Sequence, residues 1–319
     1  MEENVQKRQL GKSGLEIAPL VFGGNVFGWT VNEPTSFALL DRFFGAGFNC
    51  IDTADIYSAW VPGHKGGESE TIIGKWIKAR GRRDDVVLLT KLGFSRKDEG
   101  GGLTREHILE DVEASLRRLQ TDYIDLYQSH ADDKTTPFEE TLEAYQQLIK
   151  QGKVRSVGAS NYEAARLAAA LTASDEKKLP RYQSLQPLYN LADRAGFEKK
   201  LEALCLKEDI GVIPYYSLAA GFLTGKYRQE SDFAGAARAA RVKTYLDERG
   251  KRILKALDDV AAQLGAKPVH VALAWLAARP AVTAPIASAT NLEQLEDLIV
   301  GVGLKLNAAV TKTLDAASA

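Results

Sequence analysis

Phe48-Asn49-Cys50-Ile51-Asp52-Thr53-Ala54-Asp55-Ile56-Tyr57 starts apolar and ends on ionisable side chains. A short apolar run without alternation suits a parallel strand covered on both faces. The pattern recurs. Leu20–Phe22, Phe48–Ile51, Val86–Thr90, Ile124–Tyr127, Val154–Gly158, Tyr182–Leu185, Val212–Tyr215 and Val282–Ile286 make eight such runs. Between them lie stretches with apolar residues three and four apart, the spacing of one-sided helices. These are Pro34–Ala46, Glu68–Arg80, Arg105–Leu119, Phe138–Gln151, Tyr162–Thr172 and Glu198–Glu208. Thr104 is placed to cap the third, and Gly152 to end the fourth. Eight strand–helix repeats with right-handed crossovers can close on themselves. The expected fold is α/β, a (β/α)8 TIM barrel.

Working outward, Gln6–Leu10, the turn Gly11-Lys12-Ser13-Gly14 and Leu15–Ile17 predict an N-terminal β-hairpin. Lys251–Gly265 and Pro268–Arg279 predict two helices before the eighth strand, and Asn291–Val300 and Asn307–Ala317 predict extra C-terminal helices. Ala219–Gly250 reads as a long irregular functional loop, small and basic over Ala234–Arg241. An open doubly wound sheet is the competing fold. Against it, Gly23-Gly24 after the first strand lacks the third glycine and later acidic residue of a dinucleotide fingerprint. No domain boundary interrupts the pattern, so residues 1–319 are expected to form one domain.

The 319 residues carry a net charge of −1, with no basic stripe interleaved with aromatics. Nothing there pulls the chain toward nucleic acid or an anionic membrane. Cys50 and Cys205 form no CxxC pair and read as buried thiols. Met1–Leu10 is polar, and the longest wholly apolar stretch, Val271–Ala278, is far too short to span a membrane. A cytoplasmic location is the expectation. Nothing in the sequence sets the oligomeric state.

Barrels of this kind work at the C-terminal ends of their strands. Asp52 ends the second strand, with Tyr57 in the loop beyond it; Lys91 follows the third and His130 the fourth. Singly, each has an ordinary explanation: an Asp capping a turn, a packed Tyr, a hydrogen-bonded core His. Lys91 after Val-Val-Leu-Leu-Thr is expected to be desolvated and to need an acidic partner, which Asp52 can supply. Together they suggest acid chemistry. A nearby ammonium should lower the phenol's proton affinity, and His130 can donate to an oxygen that gains charge. No Ser, Cys or metal offers a nucleophile, so hydride from a cofactor is the natural candidate.

Ile51-Asp52-Thr53-Ala54-Asp55-Ile56-Tyr57, Leu89-Thr90-Lys91 and Leu126-Tyr127-Gln128-Ser129-His130 resemble the aldo-keto reductase superfamily over nearly the whole chain. The resemblance implies a catalytic tetrad of Asp52, Tyr57, Lys91 and His130, and reduction of aldehydes or ketones by NADPH with Tyr57 as general acid. It also implies cofactor contacts. Ser160 and Asn161 in Val157-Gly158-Ala159-Ser160-Asn161, with Gln186, would hold the nicotinamide carboxamide, and Tyr216 in Pro214-Tyr215-Tyr216-Ser217-Leu218 would stack on the ring. Ser217 of the same motif is a further cofactor candidate, and Gly221-Phe222-Leu223-Thr224-Gly225-Lys226-Tyr227 resembles the loop that would wrap the pyrophosphate, with Lys226 and backbone amides near Leu218 and Gly221 on the phosphates. Pro285–Leu295 matches the adenosine segment but departs from it: Ala287-Ser288 replace Pro-Gly, and no cation lies between Ile286 and Leu298. Ser288 and Thr290 at a helix N-terminus are the phosphate candidates there, and Gln294 the adenine one. NADPH is the first choice and NADH the alternative.

Trp29, Trp60 and Phe94 are the substrate-pocket candidates, favouring apolar or ring-bearing carbonyls. The alternative is a redox-responsive regulatory protein on the same fold, as the family's potassium-channel β-subunits are. A metal-dependent hydrolase fits poorly, because only His130 of the four histidines ends a predicted strand.

Overall fold

The computed structural model describes residues 5–94, 102–233, 235 and 237–319. Strands β1 (Arg8–Gln9) and β2 (Glu16–Ile17) pair antiparallel as the expected hairpin. Eight further strands form one parallel sheet: β3 (Val21–Gly23), β4 (Cys50–Asp52), β5 (Val87–Leu92), β6 (Ile124–Ser129), β7 (Val154–Ser160), β8 (Ser184–Gln186), β9 (Gly211–Val212) and β10 (Ile286–Ala287). They stand in chain order, with β10 beside β3. The two edges meet. Thr283 N donates to Val212 O at 2.8 Å, Ile286 N to Pro214 O at 2.9 Å and Val21 N to Pro285 O at 3.0 Å. The fold is the (β/α)8 barrel that the eight apolar runs predict.

The helices begin where short polar side chains can take their free N–H groups. Asn32 accepts from Thr35 N ahead of α1 (Glu33–Gly45), and Thr104 from His107 N ahead of α3 (Arg105–Leu119). Between and after them come α2 (Glu68–Arg80), α4 (Phe138–Lys150) and α5 (Ala164–Lys177). Gly152, at φ 74°, ends the fourth as expected. The helix expected over Glu198–Glu208 is divided into α6 (Ala195–Glu198) and α7 (Leu201–Glu208), because Lys200 leaves helical geometry at φ −141°.

The stretch after β9 is less irregular than its composition suggests. It holds 3-10 turns at Ala219–Thr224 and Glu230–Phe233 and a short α8 (Ala239–Lys243). Phe222, Leu223, Val242 and Tyr245 anchor it by burying their side chains. Of its small basic part, residues 234 and 236 lie outside the described residues. Then follow α9 (Glu248–Leu264), α10 (Pro268–Ala277), α11 (Leu292–Gly303) and α12 (Ala308–Ala317).

Most apolar side chains lie between sheet and helices. A second cluster fills the barrel. Leu10, Leu15 and Ile17 of the hairpin pack beneath Val21, Cys50, Leu89, Leu126, Ile213 and Ala284. Gly11 makes this floor possible: at φ +53°, a Cβ there would stand 2.3 Å from Gln183 O. The N-terminal end is thus sealed and the C-terminal end stays open. Among the described residues, no helix is long and apolar enough to cross a membrane.

Candidate active site

Side chains alternate along a strand, so Cys50 and Asp52, Leu89 and Lys91, and Leu126 and Gln128 share the inward face. The lower member of each pair is apolar and belongs to the barrel cluster. The upper member is polar. At this height Lys91 Nζ bonds Asp52 Oδ2 at 2.7 Å, Thr53 O at 2.7 Å and Tyr57 Oη at 2.8 Å. Lys91 has no exposed surface, and Asp52 almost none. Tyr57 Oη also lies 3.5 Å from Asp52 Oδ2. The other carboxylate oxygen, Oδ1, accepts from Gln186 Nε2 at 2.9 Å and from Gln128 Nε2 at 3.3 Å.

The expected electrostatic effect on Tyr57 is reversed. Burial, and then the Asp52 carboxylate, hold the phenol well above its ordinary pKa. Both act against the Lys91 ammonium, 2.8 Å from the phenol oxygen. Burial also pulls the Lys91 ammonium below its ordinary value, with Asp52 opposing. Tyr57 therefore rests fully protonated, as a proton donor must.

His130 completes the group, its ring centroid 6.0 Å from that of Tyr57. Burial, then the Lys91 charge, push the imidazole well below its ordinary pKa, so the ring is neutral. Its Nδ1 is buried without a hydrogen-bond partner among the described residues. A neutral imidazole carries one proton, so one of its two ring nitrogens is a donor and the other an acceptor.

One cavity of about 1350 Å³ opens above this group. Asp52, Tyr57 and His130 line it, while Lys91 sits behind Tyr57. The three aromatic candidates line it too. Trp29 meets Trp60 edge to face at 5.5 Å, Trp60 meets Tyr57 at 6.0 Å, and Phe94 lies 4.7 Å from His130. A smaller cavity of about 640 Å³, between Trp29 and His64, contains none of the tetrad.

The expected cofactor residues all border the large cavity, though several are engaged differently from expectation. Ser160 and Asn161 do not cap a helix, since α5 starts later, behind Glu163. Ser160 Oγ donates to Gln186 O at 2.8 Å, and Asn161 receives Tyr215 Oη at 2.8 Å. Asn161 and Tyr216 both take left-handed backbone, at φ 59° and 55°. Such conformations cost roughly 1 kcal/mol or more and gather at functional sites. Tyr216 exposes 38% of its surface, offering a flat ring. Ser217 turns its hydroxyl onto the barrel seam, donating to Ile286 O at 2.7 Å, so that proton is not available to a ligand. Leu218 and Gly221 begin the wrapping segment, and Lys226 is exposed and pairs with no carboxylate among the described residues.

At the adenosine segment the helix cap is Asn291, so Ser288 and Thr290 stand ahead of the N-terminus rather than on it. Ser288 Oγ is held by Gly23 O and Asn25 Oδ1, both at 2.7 Å. Gln294 Oε1 accepts from Thr290 N and Oγ1.

Three cavity residues, and one behind them, escaped the sequence. Arg238 lies over the Trp29 ring at 5.3 Å, without a carboxylate partner among the described residues. Lys267, at the start of α10, reaches Asp297 at 2.9 Å and supplies to this end of the cavity a cation the segment itself lacks. Tyr215 holds Asn161. Gln128 contacts Asp52 from behind, and strand alternation from His130 was the signal that could have found it.

This donor set fits a nicotinamide dinucleotide: amides and hydroxyls beside the phenol, the part-exposed Tyr216 ring, and cations at Lys226 and Arg238 that pair with no carboxylate among the described residues. Among the described residues no group of three or more His, Cys, Asp or Glu is arranged to hold a metal.

The chain belongs to the aldo/keto reductase family, whose model matches residues 19–319, and it is an oxidoreductase of that family. It is similar to the uncharacterized oxidoreductase YrpG of Bacillus subtilis strain 168, at 36% identity over 315 residues, covering 96% of this chain and 94% of the relative. Protein tas of Escherichia coli K12 is 31% identical over 337 aligned positions, covering 98% and 97%. A putative voltage-gated potassium channel subunit beta of Schizosaccharomyces pombe is 32% identical over 334, covering 98% and 93%.

Proposed function

We propose that this protein reduces aldehydes or ketones to alcohols, reversibly, with NADPH as reductant and Tyr57 as general acid. The observation that carries the reading is the contact chain Asp52–Lys91–Tyr57, at 2.7 and 2.8 Å, at the open end of a sealed barrel.

When bound, the nicotinamide supplies a hydride to the carbonyl carbon. The protein's residues handle the oxygen. Neutral His130 donates from its protonated ring nitrogen and orients the carbonyl. As the oxygen takes up charge it becomes a stronger base than a phenolate, so Tyr57 gives up its proton despite its raised pKa. The phenolate left behind faces the Lys91 ammonium, and Asp52 keeps that ammonium in place.

Asn161, Ser160 and Gln186 are assigned to the carboxamide, Tyr216 to the ring, and Lys226, Leu218 and Gly221 to the pyrophosphate. Lys267, paired with Asp297 on the same cavity as Ser288, Thr290 and Gln294, is the cation assigned to favour NADPH over NADH. Trp29, Trp60 and Phe94 favour a ring-bearing or apolar carbonyl. The site is assigned to a single cytoplasmic domain.

Mixing the protein with NADPH and a nitrobenzaldehyde, and following loss of the reduced nicotinamide's absorbance, tests the reading. Turnover is expected. Silence across a broad carbonyl panel would overturn it and favour a regulatory role, in line with the relative named as a putative potassium channel subunit.

A further inference from the structure

We propose that Gln128 is a positioning residue for this chemistry, holding Asp52 against Lys91 and fixing the direction in which Gln186 faces the cavity. The inference rests on the proposed carbonyl reduction for its kinetic consequence, but its structural content stands independently.

Gln128 is fully buried on the inner face of β6, in the layer above Leu126. A leucine would pack there at no polar cost, whereas an amide in such a place is costly unless its groups are bonded. Both ends of this amide are bonded. Its Nε2 donates to Asp52 Oδ1 at 3.3 Å, and its Oε1 accepts from Gln186 Nε2 at 3.3 Å. Gln186 Nε2 also donates to Asp52 Oδ1, at 2.9 Å.

These contacts leave no freedom in how the two amides are turned. A carboxylate oxygen can only accept, so each glutamine must present nitrogen to Asp52. The two donors hold Oδ1 on one side while Lys91 takes Oδ2 on the other, which fixes the plane of the carboxylate. With its nitrogen committed, Gln186 has only its oxygen to offer the cavity, and so selects a ligand that donates, as a carboxamide NH2 does. The barrel wall makes room for this arrangement. A Cβ on Gly158 would stand 3.2 Å from Gln128 Cγ and 2.2 Å from Ser184 Oγ.

The experiment compares the full-length wild type with Gln128→Met, Gln128→Glu and Tyr57→Phe. Methionine keeps the volume and removes the donor. Its kcat is expected to fall roughly tenfold, with carbonyl KM within about twofold, the scale of one lost hydrogen bond to a charged group. The pH profile of kcat should move as Lys91 loosens. Glutamate sets a second carboxylate against Asp52, so its kcat should fall further and recover relative to wild type as pH is lowered and the new group regains a proton to donate.

Two readouts need no turnover. Crystals of Gln128→Met should show the Asp52 carboxylate turned or the Gln186 amide reversed. NADPH binding, read by tryptophan quenching, should weaken several-fold. Unchanged Asp52 and Gln186 geometry, or variants that lose melting temperature while keeping wild-type kcat and pH profile, would overturn the proposal. A wild type without turnover, or a Tyr57→Phe variant as active as wild type, would instead refute the carbonyl-reduction reading, leaving the crystal and binding results to decide on Gln128.

Discussion

Lys91 Nζ donates to Tyr57 Oη across 2.8 Å, from a position with no solvent exposure. The phenol is thus placed by a charge that water cannot reach to screen.

Removing the phenol's hydroxyl should separate chemistry from binding. Tyr57→Phe keeps the ring that Lys91 faces at 4.5 Å, so the pocket should hold its shape and NADPH affinity should stay near wild type. Turnover should drop by roughly 10²–10⁴, the usual worth of a positioned acid. Steady-state rates together with a binding titration check both halves.

Breaking the buried pair from the other side should cost stability as well as activity. Lys91→Met leaves Asp52 without its cation, and losing one partner of a buried pair destabilises by about 3–5 kcal/mol. Asp52→Asn in the same chain removes the stranded charge and should restore much of that loss. Urea unfolding of the two single variants and the double variant measures the coupling. Additive losses would show that the pair contributes nothing as a pair.

His130 should make the fold sensitive to acid. Its pKa in the folded chain lies well below the ordinary histidine value because of burial and Lys91. In the window between the two values the unfolded chain binds the extra proton and the folded chain does not. Stability is therefore present above about pH 6.5 and is lost as pH falls toward the folded pKa, by at most about 1.4 kcal/mol per pH unit. His130→Asn should flatten the slope of unfolding free energy between pH 7 and pH 5, where the wild type should decline.

Asp55 should act in the opposite sense. Burial, then Glu70 and Asp111, raise its carboxyl to about 8, despite a 2.7 Å bond from Ile56 N. The folded chain keeps this proton through a window in which the unfolded chain releases it, so stability declines as pH rises toward 8. Asp55→Asn retains the acceptor for Ile56 N. Its melting temperature should gain on wild type from pH 5 to pH 8, and a constant difference would refute the assignment.

Lys267 gives a test of cofactor choice. Lys267→Ala removes a cation that lines the same cavity as Ser288, Thr290 and Gln294 and is paired there with Asp297. The dissociation constant for NADPH should rise several-fold while that for NADH stays put. Equal changes for both would place Lys267 outside the selection.

The strands were legible because each is a short apolar run, and their ends located Asp52, Lys91 and His130 at one rim. Helix limits were legible where a cap is local, as at Thr104. What the sequence hid depends on folding in space. Lys267 and Arg238 reach the cavity from segments with no motif around them. The raised pKa of Tyr57 was hidden too, since it depends on where the Asp52 carboxylate falls relative to phenol and ammonium at once. Ser217 was assigned by its motif, yet its hydroxyl closes the barrel seam.

The apolar floor built by Leu10, Leu15 and Ile17 makes the barrel a blind well. Among the described residues, the approach to Tyr57 lies on the open C-terminal side and not through this floor. A ligand seated deep in such a well is covered by whatever settles above it.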